Sequence, residues 1–217
     1  MSIAPDTAPS PSLPASSDIV FSAAIKAEQD RRGGVPAHQR IAARGGFRTV
    51  LTDDLVEFLA DVDTAYLATA SASGQPYAQH RGGPKGFIRA LDNHTLGFAD
   101  FAGNRQYITV GNLAENERAF LFLMDYARQR RIKLWGRARM VEDAALIARL
   151  MPEDYKARPE RALLFTVNAW DSNCHQHIPQ KFDAADVAGA VRRLEQRIAD
   201  LESENAALRA AMVPSPA

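Results

Sequence analysis

The chain has 217 residues, of which 46% are hydrophobic, enough for one domain of ordinary size with appendages. Its 26 basic and 26 acidic residues balance at pH 7, which argues against a nucleic-acid-binding protein, because such domains usually carry a basic surface. Its single cysteine excludes an intramolecular disulfide, and no apolar run approaches the roughly 20 residues that cross a bilayer. We therefore expect a cytoplasmic protein with no membrane partner.

The N-terminal segment changes character at Asp18. Residues 1–17 are rich in Pro, Ser and Ala. They lack the pattern of a secretory signal and are predicted to form a disordered tail, because they offer too little apolar surface to offset the entropy of ordering. Asp18 is expected to cap a helix that contains Phe21 and Ile25. Short helices are also expected over residues 38–43 and 53–61.

After this point the chain alternates between short strand-like runs and turn signals. Ser73-Gly74 and Asp92-Asn93 are typical of turns that join two strands into a hairpin. Arg131–Glu142 alternates cationic and apolar side chains, which indicates a strand with one face on a core. Short antiparallel strands with few helices predict a mainly β protein with a small closed barrel. The expected strands are residues 64–70, 76–80, 87–91, 95–100, 119–126, 131–142 and 162–170, with helices over 105–113 and 144–151.

The most informative segment is His80–Tyr107, because it combines glycine-rich loops with cations. Glycines let backbone N–H groups approach a ligand closely, and neighbouring Arg and Lys side chains form charge-assisted bonds to an anion. Asn104 and Gln106 add amide groups, which either bind the same ligand or cap their own loop. The segment therefore predicts a site for a phosphate-bearing ligand. Its cations are Arg81, Lys85, Arg89 and Arg105.

The C-terminal segment, residues 183–213, follows a heptad pattern. Apolar residues recur in alternating steps of four and three, with Asn205 at an a-type position, which commonly fixes register in two-stranded coiled coils. The pattern lasts about three heptads, near the lower limit for a coiled coil. Three interpretations stay open: self-association through this seam, one amphipathic helix folded onto its own barrel, and a partner protein. The seam residues are Val187, Val191, Leu194, Ile198, Leu201, Asn205, Leu208 and Met212.

Several motifs in a fixed order resemble the pyridoxamine 5'-phosphate oxidase-like family of FMN-binding split barrels. They are FLADVDTAYLATASASGQPYAQHRGGPKGF, TLGFADFAGNRQY, GNLAENERAFLFLMDY, RIKLWGRARMVE and the closing AWDSNCHQHIPQKF, which is similar to an uncharacterised bacterial branch. The resemblance implies a six-stranded antiparallel split barrel over residues 18–182. It also implies a homodimer with FMN in a cleft between the subunits, followed in this chain by the coiled-coil-like helix.

The resemblance also implies site residues. The phosphate-binding positions of the family fall near Arg81, Lys85, Arg89, Asn104 and Arg105, and Gln106 is added as an amide neighbour. The segment after the last strand often reaches the flavin of the partner subunit, which points to Trp170 and Gln176 as further cofactor-binding residues. Trp170 closing the barrel core is an equally good interpretation. No catalytic residue is assigned.

Two patterns argue against other activities. The Gly82-Gly83-Pro84 turn departs from the oxidase pattern and the basic C-terminal substrate signature is missing, so oxidation of vitamin B6 is not expected. Cys174, His175 and His177 have the right types for zinc, but their spacing does not fit, so no metal site is expected.

The sequence therefore predicts an FMN-binding flavoprotein that acts as a flavin-dependent oxidoreductase on a small molecule that the sequence does not identify. In such proteins the cofactor carries the redox chemistry, and the protein supplies binding and orientation. The alternatives are a non-catalytic flavin-binding or flavin-sensing module, and the same barrel with deazaflavin or haem.

Overall fold

The computed structural model describes residues 15–173 and 176–211, which divide into two compact units. Within these residues the first unit comprises 15–125 and 130–173, and the second comprises 126–129 and 176–211. Most of the predicted disordered tail, residues 1–14, lies outside the described residues. The first helix begins at Ser16, inside the last part of that tail.

Seven helices and seven strands lie within the described residues. The helices are α1 (Ser16–Val20), α2 (Ala23–Arg31), α3 (Ala37–Ala42), α4 (Asp53–Ala60), α5 (Ile108–Glu115), α6 (Ala144–Leu150) and α7 (Ala184–Ala211). The strands are β1 (Thr64–Ala70), β2 (Pro76–Gly82), β3 (Arg89–Ala90), β4 (Thr95–Phe101), β5 (Arg118–Asp125), β6 (Arg130–Val141) and β7 (Pro159–Asn173).

All seven strands form one antiparallel sheet in the order β2-β1-β5-β6-β7-β4-β3. This confirms the predicted mainly β, antiparallel fold with flanking helices and a C-terminal helix. The sheet has seven strands rather than the six that the resemblance implies, and each of the seven expected runs contributes one; the shortest, β3, has two residues and pairs with β4. The run 87–91 contributes only these two residues, because the Phe87 N–H bonds to the carbonyl of Pro84 in a turn. Phe87 and Ile88 are buried in the core (2% and 1% exposed).

The two ends of the sheet approach each other. β2 is one edge strand, and β4 lies next to the other edge. Arg81 of β2 nevertheless donates a hydrogen bond from Nη1 to Oδ1 of Asp100 in β4, at 2.5 Å. The sheet therefore curls into a barrel, whose interior holds the main hydrophobic core. Among its fully buried side chains are Leu55, Leu67, Phe98, Leu121, Leu134 and Phe165.

A β-bulge interrupts the alternation of β6. The register with β7 shifts between Trp135 and Gly136. A Cβ on Gly136 would collide with the carbonyl oxygen of Thr166 and with the Phe165 ring. Only glycine fits this close approach of two strands, so the bulge depends on the glycine at position 136.

The start of the chain differs from the prediction of one helix capped by Asp18. The structure has two helices, and Ser22 is the cap of the second, because its side chain accepts a hydrogen bond from the Ile25 N–H. Asp18 lies within α1 and forms an ion pair with Lys26. Phe21, between the two helices, packs on Phe47 with a ring-centroid distance of 5.5 Å.

Helix α5 begins three residues later than the predicted 105–113 and ends at Glu115. Arg105 and Tyr107 have φ angles of 60° and 52°, the left-handed region that a right-handed helix cannot contain. By contrast, α6 begins where expected, and the Asp143 carboxylate accepts a hydrogen bond from the Leu146 N–H at 2.7 Å.

The second unit consists of a short chain segment and the 28-residue helix α7. Gln129 donates to the carbonyl of Ile178 at 2.6 Å, and Gln180 donates to the carbonyl of Ala127 at 2.9 Å. These bonds hold residues 126–129 against the segment that precedes α7. Among the described residues, no helix combines the length and the apolar character that crossing a membrane requires.

Candidate functional site

A small polar cleft opens where β2, the end of β4, the start of β7 and the start of α5 meet. The loop 102–107, between β4 and α5, forms one wall. The enclosed space is about 50 Å³. Its charged lining residues are Arg81, Asp100, Arg105, Glu160 and Arg161.

Asp100 is the centre of the charge network in this cleft. Its carboxylate is paired with Arg81 at 2.5 Å and lies 3.5 Å from Nε of Arg161. The side chains of Asp100, Arg81 and Arg161 are 8%, 12% and 12% exposed. Charges that are this deeply buried require partners, so the two arginines and the carboxylate hold one another in place.

Glu160 completes the network at the mouth of the cleft. Nη2 of Arg161 lies 2.5 Å from its carboxylate, and Arg158 lies 3.3 Å away on the exposed side. The hydrogen bond from Arg161 lowers the pKa of Glu160 from its ordinary value, and the charge of Arg158 adds to the effect. The same hydrogen bond, together with the charge of Asp100, raises the pKa of Arg161. Both groups therefore stay ionised at neutral pH.

Two buried donors in the network make no hydrogen bond, although Nε of Arg161 lies 3.5 Å from the Asp100 carboxylate. Nε of Arg81 and Nε of Arg161 make no hydrogen bond to the described residues. A buried donor without a partner costs about 1–3 kcal/mol. The guanidinium groups of Arg81 and Arg161 also line the cleft beside Arg105, and guanidinium groups form charge-assisted bonds to phosphate, so the donor set of this cleft fits a phosphate group.

The wall formed by the loop 102–107 is strained and carries a further cation. Arg105 and Tyr107 are the two left-handed residues described above, and non-glycine residues in this region cost of order 1–3 kcal/mol each. Oδ1 of Asn104 accepts a hydrogen bond from the Gln106 N–H at 3.2 Å. Within the described part of the chain Arg105 makes no hydrogen bond or ion pair, and it is exposed at the mouth of the cleft.

Helix α5 presents its first turn to the cleft through Ile108, Thr109 and Val110. The first N–H groups of a helix have no intrahelical acceptor and favour an anion. Buried polar bonds fix the helix on the sheet. Oγ1 of Thr109 donates to the Gln79 side chain at 2.7 Å, and the Asn112 side chain donates to Thr69 at 3.0 Å.

The cleft brings together four of the residues that the sequence predicts as cofactor-binding: Arg81, Asn104, Arg105 and Gln106. The other four do not line it. Lys85 is exposed in the turn after β2. Gln176 is an exposed residue of the second unit.

Arg89 and Trp170 have structural partners of their own. Nη1 of Arg89 donates to the carbonyl of Arg149 at 2.8 Å, in the last turn of α6. Trp170 is 2% exposed and donates from Nε1 to the carbonyl of Val50 at 2.8 Å. Of the two interpretations of Trp170, the structure places it in the barrel core.

Sequence reasoning missed Asp100, Glu160 and Arg161. Asp100 and Arg161 are direct partners in the β4–β7 ladder, so only the strand register brings them together, and nothing local in the sequence marks either one. The candidate metal residues Cys174 and His175 lie outside the described residues. Across the residues that are described, no group of three His, Cys, Asp or Glu side chains has a metal-binding arrangement.

Comparison with known proteins gives the family. The family model described as pyridoxamine 5'-phosphate oxidase matches residues 51–174. A comparison with curated protein sequences finds no significant match. Among solved structures, the chain is similar to HupZ of Group A Streptococcus, with 16% identity over 61% of this chain and 99% of that chain (TM-score 0.47).

Two further solved structures are similar over a comparable length. An FMN-binding protein from Syntrophomonas wolfei shares 11% identity over 56% of this chain and 87% of that chain, with a TM-score of 0.44. An FAD-binding protein from Mycobacterium smegmatis shares 15% identity over 58% of this chain and 97% of that chain, with a TM-score of 0.39. Because the family model covers more than half of the 217 residues, the chain belongs to the pyridoxamine 5'-phosphate oxidase family.

Proposed function

We propose that this protein is an FMN-binding flavoprotein and that the cleft between β2, β4 and α5 holds the phosphate of the cofactor. The observation that carries the proposal is the pair of guanidinium groups, Arg81 and Arg161, that line the cleft and are held there by Asp100. Exposed Arg105 and the first turn of α5 stand beside them. This combination of donors suits a phosphate better than a neutral ligand.

The balance of charges in the cleft indicates which residue contributes most to attracting the phosphate. Arg81 and Arg161 are balanced by Asp100 and Glu160, so these four side chains together carry no net charge. Arg105 has no acidic partner among the described residues. It therefore supplies the charge that attracts the phosphate, while Asp100 positions Arg81 without touching the ligand. Asn104 and Gln106 keep the loop in its bound shape.

A second copy of the chain is part of the proposal. The cleft encloses about 50 Å³, whereas pockets that bury a drug-sized ligand measure roughly 300–1,000 Å³. A flavin nucleotide held here by its phosphate would extend well beyond the cleft. We therefore propose a homodimer in which the partner subunit covers the remainder of the cofactor.

The proposed activity is that of a flavin-dependent oxidoreductase on a small molecule. Bound FMN supplies the electron-transfer chemistry. Arg81, Arg161 and Arg105 bind and orient the phosphate, and the ion pairs with Asp100 keep the guanidinium groups of Arg81 and Arg161 fixed.

Comparison of FMN with riboflavin tests the phosphate assignment directly. Riboflavin has the same ring but no phosphate, so we expect FMN to bind at least about tenfold more tightly, the value of one charge-assisted bond. Arg105→Ala should remove most of this preference. Arg44→Ala, an exposed arginine outside the cleft, is the matched control. Equal affinities for FMN and riboflavin would place the phosphate elsewhere.

Repeated reduction and reoxidation of the bound flavin distinguishes an enzyme from a non-catalytic flavin-binding module. The FMN-loaded protein is mixed with NADH or NADPH, and bleaching of the flavin band followed by recovery in oxygen is recorded. Repeated bleaching and recovery supports the oxidoreductase. Stable bound FMN that neither donor reduces supports a carrier or sensor. Protein that takes up deazaflavin or haem but not FMN contradicts the proposed cofactor.

A further inference from the structure

The exposed face of α7 is an apolar surface that the fold and the proposed flavin site leave unexplained. The helix runs for 28 residues from Ala184 to Ala211. Its seam of apolar side chains is 44–64% exposed, although such side chains are normally buried against a partner. The opposite face is polar, as the bond from Gln196 to Asp200 shows. The exposed seam residues are Val187, Val191, Leu194, Ile198, Leu201 and Leu208.

We propose that α7 pairs with α7 of a second copy as a parallel, in-register, two-stranded coiled coil. The first argument is the choice of side chains along the seam. The a positions hold β-branched Val191 and Ile198, and the d positions from residue 194 onward hold leucine. This combination favours two parallel strands over trimers or tetramers.

Asn205 specifies the orientation. It occupies an a position, and in a parallel in-register pair it faces Asn205 of the partner subunit, where the two amides bond to each other. In an antiparallel pair an a residue faces a d residue, so Asn205 would oppose a valine or leucine. Its amide would then be buried without a partner, which is costly.

The charges that flank the seam fit the same arrangement. In a parallel coil each g residue faces the e residue of the next heptad of the partner, five positions later in sequence. Arg197 at g then faces Glu202 of the partner subunit, and Glu204 at g faces Arg209 of the partner subunit. Both pairs attract, and two-fold symmetry makes each of them twice. The occupant that suits this face is therefore a second copy of the same chain.

Cross-linking of the full chain tests the orientation. Cys174→Ser removes the only native cysteine, and single cysteines are then placed at the two ends of the seam, as Val187→Cys and Leu208→Cys. A bis-maleimide shorter than one helix diameter, about 10 Å, is the probe. We expect each variant to cross-link to itself at least about tenfold faster than the outward-facing control Ser203→Cys, because the coil holds the thiols at high effective concentration.

The other outcomes overturn the proposal. Cross-links that form only when the Val187→Cys and Leu208→Cys proteins are mixed would mean an antiparallel pair. Cross-linking no faster than that of the Ser203→Cys control would mean that α7 does not pair with itself. Neither outcome would contradict the proposed flavin site, because the preference for FMN over riboflavin is measured separately.

A charge exchange gives a second test, in which the flanking charges are varied while the cysteine probe stays the same. Arg197→Glu places a carboxylate opposite Glu202 of the partner subunit, twice in each dimer. We expect this repulsion to weaken pairing about tenfold. The measurement is the cross-linking of Leu208→Cys as a function of protein concentration. Adding Glu202→Arg restores opposite charges and should restore pairing. A double variant as weak as the single one would contradict the parallel register.

Discussion

Arg105 combines strain with charge. Its φ of 60° lies in the left-handed region, which glycine adopts more readily than a residue with a side chain. A non-glycine residue there costs of order 1–3 kcal/mol, and replacing it with glycine recovers only part of this, because glycine loses more conformational entropy on folding. We expect Arg105→Gly to raise the free energy of unfolding by about 0.5 kcal/mol while weakening FMN binding as much as Arg105→Ala does. Urea denaturation of the FMN-free proteins measures the first effect. Arg105→Gly that is less stable than the native protein would show that the loop is not strained.

Asp100 is the residue whose loss should damage the fold most. Asp100→Asn keeps the shape of the side chain but leaves Arg81 and Arg161 buried without their counter-charge. Removing one partner of a buried ion pair costs about 3–5 kcal/mol, and we expect a value near the lower end because Glu160 still serves Arg161. Urea denaturation measures the loss. A change below about 1 kcal/mol would mean that solvent already screens the network.

Glu160 makes the network sensitive to acid. Its pKa is lowered in the folded protein, mainly by the hydrogen bond from Arg161. A carboxyl group with a lowered pKa stabilises the fold above its unfolded-state pKa, and this contribution is lost as the pH falls through the folded-state value. Glu160→Gln should therefore be less stable than the native protein at pH 7, and the difference should vanish in acid, below the ordinary value of 4.5. The exposed Glu153→Gln is the control, and equal pH profiles for native protein and Glu160→Gln would contradict the coupling.

At the scale of the elements, substituting Gly136 in a strand and Gly111 in a helix should have opposite effects on stability. A Cβ at Gly136 would meet the Thr166 carbonyl across the bulge, whereas one at Gly111, inside α5, would meet nothing within 4 Å. We expect Gly136→Ala to cost about 3 kcal/mol because two strands must separate. Gly111→Ala should instead stabilise by about 0.5–1 kcal/mol. Urea denaturation of both variants, at the same pH, checks the opposite signs.

The sequence predicted elements well where the signal is local. A nearly continuous apolar run marked β5, alternation marked β6, and an acidic cap marked the start of α6. It failed where conformation depends on distant contacts. Because the backbone at Arg105 and Tyr107 is left-handed, α5 begins only at Ile108. The residue types at these two positions do not predict that conformation. The same distinction applies to the cleft, since the Gly-Asn-Arg loop was visible in sequence but the pairing of Asp100 with Arg161 follows from strand register alone.

Arg89 shows that a cation in the predicted segment can have a structural partner of its own. It lies between Arg81 and Arg105 in sequence, but its guanidinium group bonds to the carbonyl of Arg149 at the end of α6. Cations near the C-terminus of a helix stabilise it through its last carbonyl groups. The choice between anion binding and helix capping depends on where α6 packs, which the local sequence does not record.

For the whole molecule, the proposed coil and the proposed flavin cleft reinforce each other. If a second copy covers the cofactor, FMN binding becomes weaker whenever the dimer dissociates. A coil that tethers two barrels raises their effective concentration to about the millimolar range without adding any contact to the cleft. The full chain should then keep its FMN on dilution, whereas a chain that ends at Phe182 should release FMN as the protein concentration falls.

Fluorescence of released FMN over a dilution series measures this difference. At high protein concentration the two proteins should bind FMN equally, because the residues of the cleft are all present in the shorter chain. The Arg197→Glu variant should lie between them, and its combination with Glu202→Arg should return to the behaviour of the full chain. Identical dilution curves for the full and the shortened chain would mean that the coil does not support the cleft. Weaker binding by the shortened chain even at high concentration would mean that α7 contributes to the site directly.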